Sequence, residues 1–423
     1  MQKISFKMSA MGVLASIFIF LMLFAPYQLQ PVKAVFLIFI FILVCSKIAS
    51  ERSVFLCPQI GFLLLMCMAV GFFSFARGLY FGAPGAMRSE TVMLLWPFVF
   101  TILISAIRTV DHLVLISKII VISTLLTCFF IGVFLLQSMA FVPHVIPDFM
   151  GKLNFANYNG YVQVVIPQVF TLVCVTPFII SLLMCKREGS FLSKKNIGFV
   201  LFFCILCALL SGRRALLVIL PAAYIWIVFV GALFEKERAY LLKRALFLII
   251  ILLCVTLIAP KLFSIFNVTG ANTFNYALTS FNFTDNASNQ IRVTEFYPLL
   301  EGWLQHPFLG SGQGAALTTI TRSATQPWDY ELFYMQLLFQ MGLLGFLTYA
   351  IAILWLFKKS FEILKKTNNA IFKNITLAGM TSLFFFLIAN LGDPYFGIFD
   401  ANWVLFFQVA VVNLWVIKEK ELS

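Results

Sequence analysis

The residues best suited to chemistry in this chain are one carboxylate and a few guanidiniums, set in polar intervals between long apolar runs. Glu331 closes the motif Trp328-Asp329-Tyr330-Glu331 and opens directly on the apolar stretch 332–357. A carboxylate at a helix start is favoured by the helix dipole; within hydrogen-bonding reach of a hydroxyl it could also accept that group's proton. Arg213 and Arg214 follow Ser211-Gly212 at a corner between two apolar runs, with no room for a real loop. Arginines at such a corner snorkel to the interface. Paired guanidiniums beside a glycine also suit close, bidentate recognition of a phosphate. Arg292 has Glu295 three residues on, the spacing of a surface ion pair on a helix.

The polar residues around these are weaker signals. Gly310, Gly312 and Gly314 form a GxGxG with no strand before it, so it says nothing about dinucleotides; it marks a tight backbone path or a close approach to substrate. Asn157 and Asn159, in Phe155-Ala156-Asn157-Tyr158-Asn159-Gly160, lie just before an apolar run, where turn chemistry alone explains them. Arg77, Arg88, Lys152 and Arg322 are further cations in polar intervals. His112, His144 and His306 are isolated, with no metal-ligand spacing, and Asp393 and Asp400 flank the last loop without an obvious partner. The nine cysteines fall in or beside apolar runs at irregular spacing, and Cys204 and Cys207, although a CxxC, lack a second pair. They read as small hydrophobes, with no disulfide framework or metal site.

What must position these groups is a membrane bundle. Hydrophobic residues make up 61% of the 423, charged residues only 11%, and the mean hydropathy is +0.98. No water-soluble domain of this size carries such a surface. Twelve apolar runs are long enough to cross hydrocarbon as helices, at about 8–26, 32–48, 54–75, 90–107, 113–137, 161–185, 197–212, 215–233, 245–259, 331–357, 375–391 and 403–417. The expected fold is therefore an all-α polytopic membrane protein, a single integral membrane domain over 1–423.

Orientation follows from the basic residues. With both termini cytoplasmic, Lys3 and Lys7 share a side with the clusters at 186–195, 236–244, 358–373 and 418–420, and that side carries the whole net charge of +13. The basic excess is a topology signal, and nucleic acid is not an expected partner. Arg213 and Arg214 then occupy the side that cations avoid. The same side holds one large loop, 260–330. A structureless loop of that length is unusual. Val293, Phe296, Tyr297, Leu300 and Leu304 recur at helical spacing, predicting an amphipathic helix over about 290–305 that lies at the interface, with Pro298 inside it and Pro307 ending it.

As a set, four motifs in order resemble the O-antigen ligase/polymerase superfamily of bacterial inner membranes, the Wzy/WaaL-like proteins. They are Phe155-x-Asn157-x-Asn159, Arg214-Ala215-Leu216-Leu217 at a helix corner, Arg292 leading through Trp303 to Pro307–Gly314, and Glu331 eleven positions before Gly342 with Gly345 following. Ligases of the superfamily typically have His-Asn where this chain has Glu331-Leu332, and its polymerases vary more at that site, so the resemblance is closest to a Wzy-type polymerase. It implies a periplasmic active face, no cofactor and no metal. The implied substrate is an oligosaccharide on undecaprenyl pyrophosphate, and a chain-length regulator is among the partners implied, with membrane lipids around the protein. Arg214 and Arg292 would hold and stabilise the leaving pyrophosphate, and Glu331 would take the proton of the attacking hydroxyl. Arg213, Arg88, Asn157, Asn159, Gly310, Gly312, Gly314 and Tyr330 would contribute to substrate binding. A ligase acting on lipid A core, and a flippase with no chemistry, are the alternatives; span interiors nearly free of charge argue against the flippase.

Overall fold

Backbone groups in hydrocarbon must satisfy one another, and long apolar runs do so as helices. The computed structural model describes residues 9–51, 55–138, 142–143, 145–146, 154–158, 161–185, 189–211, 213–234, 246, 250, 287–321 and 323–422. In order these form α1 (Ala10–Phe24), α2 (Gln30–Glu51), α3 (Pro58–Tyr80), α4 (Ala86–Glu90), a π-helical turn (Thr91–Leu95), α5 (Trp96–Ala106) and α6 (Val110–Ser138). A hairpin of β1 (Asn154–Tyr158) and β2 (Tyr161–Val165) leads into α7 (Pro167–Met184), α8 (Lys194–Ser211) and α9 (Arg214–Phe234). The last four are α10 (Ala287–Gln305), α11 (Phe333–Lys366), α12 (Ala370–Ala389) and α13 (Trp403–Leu422).

Seven described helical segments are long and apolar enough to cross a membrane: Gln30–Ser50, Pro58–Tyr80, Ala86–Ala106, Val110–Gln137, Pro167–Met184, Phe333–Lys366 and Ala370–Ala389. Ala10–Phe24 and Val218–Gly231 are apolar but shorter. The expected runs at 197–212 and 403–417 are helical as α8 and α13, and the one at 245–259, apart from Leu246 and Ile250, lies outside the described residues. Among the described residues, the class differs from all-α by the hairpin alone. Its antiparallel register sets Asn157 opposite Val162 and Tyr158 opposite Tyr161.

Local sequence explains where several helices begin and bend. Pro58 and Pro167 sit in the first turns of α3 and α7, where a missing N–H costs nothing. Ser9 accepts the Gly12 N–H at the head of α1, and Asn369 that of Phe372 at the head of α12. Gly342 breaks α11 with φ +67°.

The core forms around α7, which packs against α12, α9, α8 and α6 and is buried along almost its whole length. Large apolar side chains such as Phe62, Phe72, Phe129 and Leu354 point outward, as lipid-facing positions require. The connections expected on one side of the membrane meet at one end of the bundle. Tyr27 binds Asp400, Arg213 binds Asp393, Arg292 binds Gly392, and Gly85 binds Gly314. At the opposite end Thr367 binds the Leu422 carbonyl and Lys366 pairs with Glu419.

Candidate active site

The long polar interval delivers its functional groups through α10. The expected helix is present from Ala287 to Gln305, and Pro298 lies inside it. Its apolar stripe, expected to lie at the interface, faces outward: Val293, Phe296, Tyr297 and Leu304 are all exposed. The inward face is Arg292, Glu295, Leu299 and Gly302, spaced 3, 4 and 3, which lies on the start of α11. Hydrogen bonds to the polar entry of α11 fix this face, so the apolar stripe turns outward.

Glu295, 1% exposed, accepts the Glu331 N–H at 2.9 Å. Arg292 Nε lies 3.1 Å from Glu331 Oε2. Glu295, expected as a surface partner of Arg292, is buried and holds the Glu331 backbone, and the Glu331 carboxylate lies against the arginine. Arg292 Nη2 also donates to the Gly392 carbonyl at 2.9 Å. The neighbouring residue, Asp393, meets the second arginine: Arg213 Nη1 is 3.5 Å from Asp393 Oδ2, and its guanidinium lies 4.3 Å above the Phe170 ring. Burial pushes the Tyr395 phenol up, so it stays protonated and donates to Asp393 at 3.4 Å. Consecutive Cα atoms are about 3.8 Å apart, so two arginines held by residues 392 and 393 serve one patch. Arg214 begins α9 beside Arg213; its side chain lies outside the described residues.

Other expected contributors fall elsewhere. Tyr330 is fully buried with Leu299, Ala315 and Phe339; its hydroxyl accepts the Leu317 N–H at 2.7 Å, and burial pushes the phenol up. It is a core post with no face for a substrate, which corrects the expectation of substrate contact. Gly310, Gly312 and Gly314 have φ of +68°, +96° and +75°. The approach they permit is to the protein's own backbone, at Gln340 and Gly342, Gly78, and Gly85 with Ala86 respectively. Ser311 N and Gly312 N donate to Phe339 O and Gln340 O, and Leu343 N to Pro307 O, closing a clasp over the α11 kink. With the Gln326 amide oxygen turned towards it, Arg88 donates from Nη1 and Nη2 at 2.9 and 3.1 Å. Arg77 Nε donates to Gly310 O at 2.7 Å. Asn157 lies on β1 with its side chain outside the described residues, as are Asn159, Lys152, Arg322 and His144 altogether. Among the described residues no group of His, Cys, Asp and Glu could hold a metal.

Sequence reading overlooked Glu295 as a buried acceptor, and the Gly392-Asp393 pair. It also left Asp400 unpartnered, where Lys33 Nζ lies 2.7 Å from it, both side chains 2% exposed. The signal available for the last pair was a lysine in the first turn of an apolar run, which needs a counter-charge if it faces inward.

An apolar cavity of about 300 Å³ runs along α11 from Phe333 to Leu354, bounded also by Met93, Trp96, Tyr349 and Phe406. The assembly is thus a multi-pass membrane protein with a carboxylate and two guanidiniums converging at one end of the bundle, next to an apolar cleft. Residues 199–350, a little over a third of the chain, match the family model described as O-antigen ligase. The site residues Arg213, Arg214, Arg292 and Glu331 all lie inside the matched segment, which supports a likeness to the O-antigen ligase/polymerase superfamily, whose members are membrane glycosyltransferase-like enzymes. No curated protein matches the chain.

Proposed function

We propose that this protein polymerises oligosaccharide units carried on undecaprenyl pyrophosphate, at the periplasmic face of the bacterial inner membrane. The observation that carries the reading is the Arg292–Glu331 contact beside Arg213: an acid and two permanent cations at one end of a membrane bundle. In the reaction, a sugar hydroxyl of the acceptor attacks the anomeric carbon of the donor glycan. The new C–O bond forms as the bond to pyrophosphate breaks, the electron pair leaves with the lipid pyrophosphate, and the hydroxyl proton passes to Glu331. Arg292 and Arg213, with Arg214 beside them, hold the pyrophosphate and stabilise the charge that builds on it. The incoming phosphates compete with Glu331 for Arg292, which leaves the carboxylate oxygen available to the hydroxyl. The isoprenoid chain takes the apolar cleft beneath Phe333, and the outward stripe of α10 rests on lipid.

Glu331 at the place where ligases typically carry His-Asn favours polymerisation. The matched family description favours ligation, in which the acceptor is lipid A core. Deleting the gene separates the two: a polymerase loss leaves core capped with a single repeat, a ligase loss leaves bare core and glycan stranded on its carrier. The expected outcome is the single-repeat cap on a lipopolysaccharide gel, and bare core overturns it.

A further inference from the structure

Both described arginines of the site lean on one loop, residues 390–402. Arg292 uses the Gly392 carbonyl and Arg213 the Asp393 carboxylate. The loop is braced internally: Asn390 Oδ1 accepts the Phe396 N–H at 2.9 Å, and Asn402 Nδ2 donates to the Phe396 and Ile398 carbonyls at 3.0 and 2.9 Å. Its far end is fastened to the α1–α2 turn by Asp400, which accepts from Lys33 Nζ at 2.7 Å, the Tyr27 N–H at 2.7 Å and Gln30 Nε2 at 3.5 Å. Lys33 spends a second donor on the Ala25 carbonyl at 2.9 Å. Tyr27 and Leu29 hold φ of +64° and +53°, a conformation that non-glycine residues keep only where surroundings enforce it. The hydrogen bond from Tyr27 to Asp400 supplies that enforcement.

A buried ion pair adds little net stability over apolar residues of similar volume. Its effect lies in the geometry it dictates, since a charged, hydrogen-bonded contact fixes a position along directions that apolar contact leaves free. We propose that Lys33 and Asp400 are positioning residues for glycosyl transfer: the pair sets the register of the 390–402 loop, and through it the aim of Arg292 and Arg213. The inference rests on the reading above, because aim matters only if the arginines hold a pyrophosphate.

The test is a double-mutant cycle on the full-length protein in lipid nanodiscs, with a lipid-pyrophosphate-linked oligosaccharide as substrate. Asp400→Asn is expected to lower kcat roughly tenfold or more, as a misplaced guanidinium does, without loss of protein from the membrane. Arg292→Lys is also slow, and adding Asp400→Asn to it costs clearly less than it costs alone, since the part that acts through Arg292 is already lost and only the part that acts through Arg213 remains. Lys33→Met with Asp400→Leu, an apolar replacement that keeps the fold, remains as slow as Asp400→Asn and carries the same cycle if the single variant does not accumulate. Multiplying losses in the cycle, or wild-type turnover in the apolar pair, overturns the positioning role. Wild-type turnover in Arg292→Lys instead overturns the assignment of Arg292 itself, so the two failures are distinguishable.

Discussion

At Glu331 the backbone and the side chain are held by two residues of one helix face: Glu295 takes the N–H and Arg292 meets the carboxylate. This division predicts what substitution does. Glu331→Gln keeps the shape and the bond to Glu295 while removing the charge, so it should lower transfer by about 10²–10⁴-fold, the usual worth of a positioned proton acceptor, with the protein still inserted. Tyr330→Phe, one residue away, removes a buried acceptor and strands the Leu317 N–H, so it should cost about 1–3 kcal/mol of stability while leaving turnover near that of wild type. Melting temperature and product formation measured on both variants check the contrast; a catalytically dead but stable Tyr330→Phe would return that residue to the site. Arginine and glutamate were legible in sequence because charge is conspicuous in an apolar chain. Tyr330 was misread because adjacency to Glu331 says nothing about which way a non-helical side chain points, and here it points into the core.

Among the elements, helices were the most legible part, since long apolar runs have few other ways to satisfy their backbone. The packing partner of α10 was not. Periodicity located the helix and identified its apolar stripe, yet the partner of that helix is the polar entry to α11, so the stripe turned out and Arg292, Glu295, Leu299 and Gly302 turned in. The glycine run shows a related limit: sequence marks a backbone that passes close to something, and the neighbour proves to be α3 and the α11 kink. Gly312→Ala would place a Cβ 2.5 Å from Gly78 Cα at a φ of +96°, so a loss of about 2–5 kcal/mol is expected. Gly132→Ala and Gly198→Ala, where a Cβ meets nothing, should leave thermal stability near wild type. Normal stability with weakened substrate affinity in Gly312→Ala would instead make the clasp a binding loop.

For the whole molecule, the distribution of Lys and Arg sorted the connections into two sets before any contact was known, and the contacts keep to that sorting. Tyr27 meets Asp400, Arg213 meets Asp393, and Arg88 meets Gln326 at one end; Lys366 meets Glu419 at the other. What sequence could not provide was pairing within a set: Lys33 and Asp400 are 367 positions apart, and only folding brings them together. The sorting makes a prediction about the membrane itself. In a background without native thiols, Thr325→Cys, exposed on the loop that carries Gln326, should react with a membrane-impermeant maleimide added to cells whose outer membrane alone is opened. Lys366→Cys, exposed at the other end, should react only after the inner membrane is breached. The reverse pattern would place Arg292 and Glu331 in the cytoplasm, where a periplasmic donor cannot reach them, and the polymerase reading would fall while the arrangement of the helices stood.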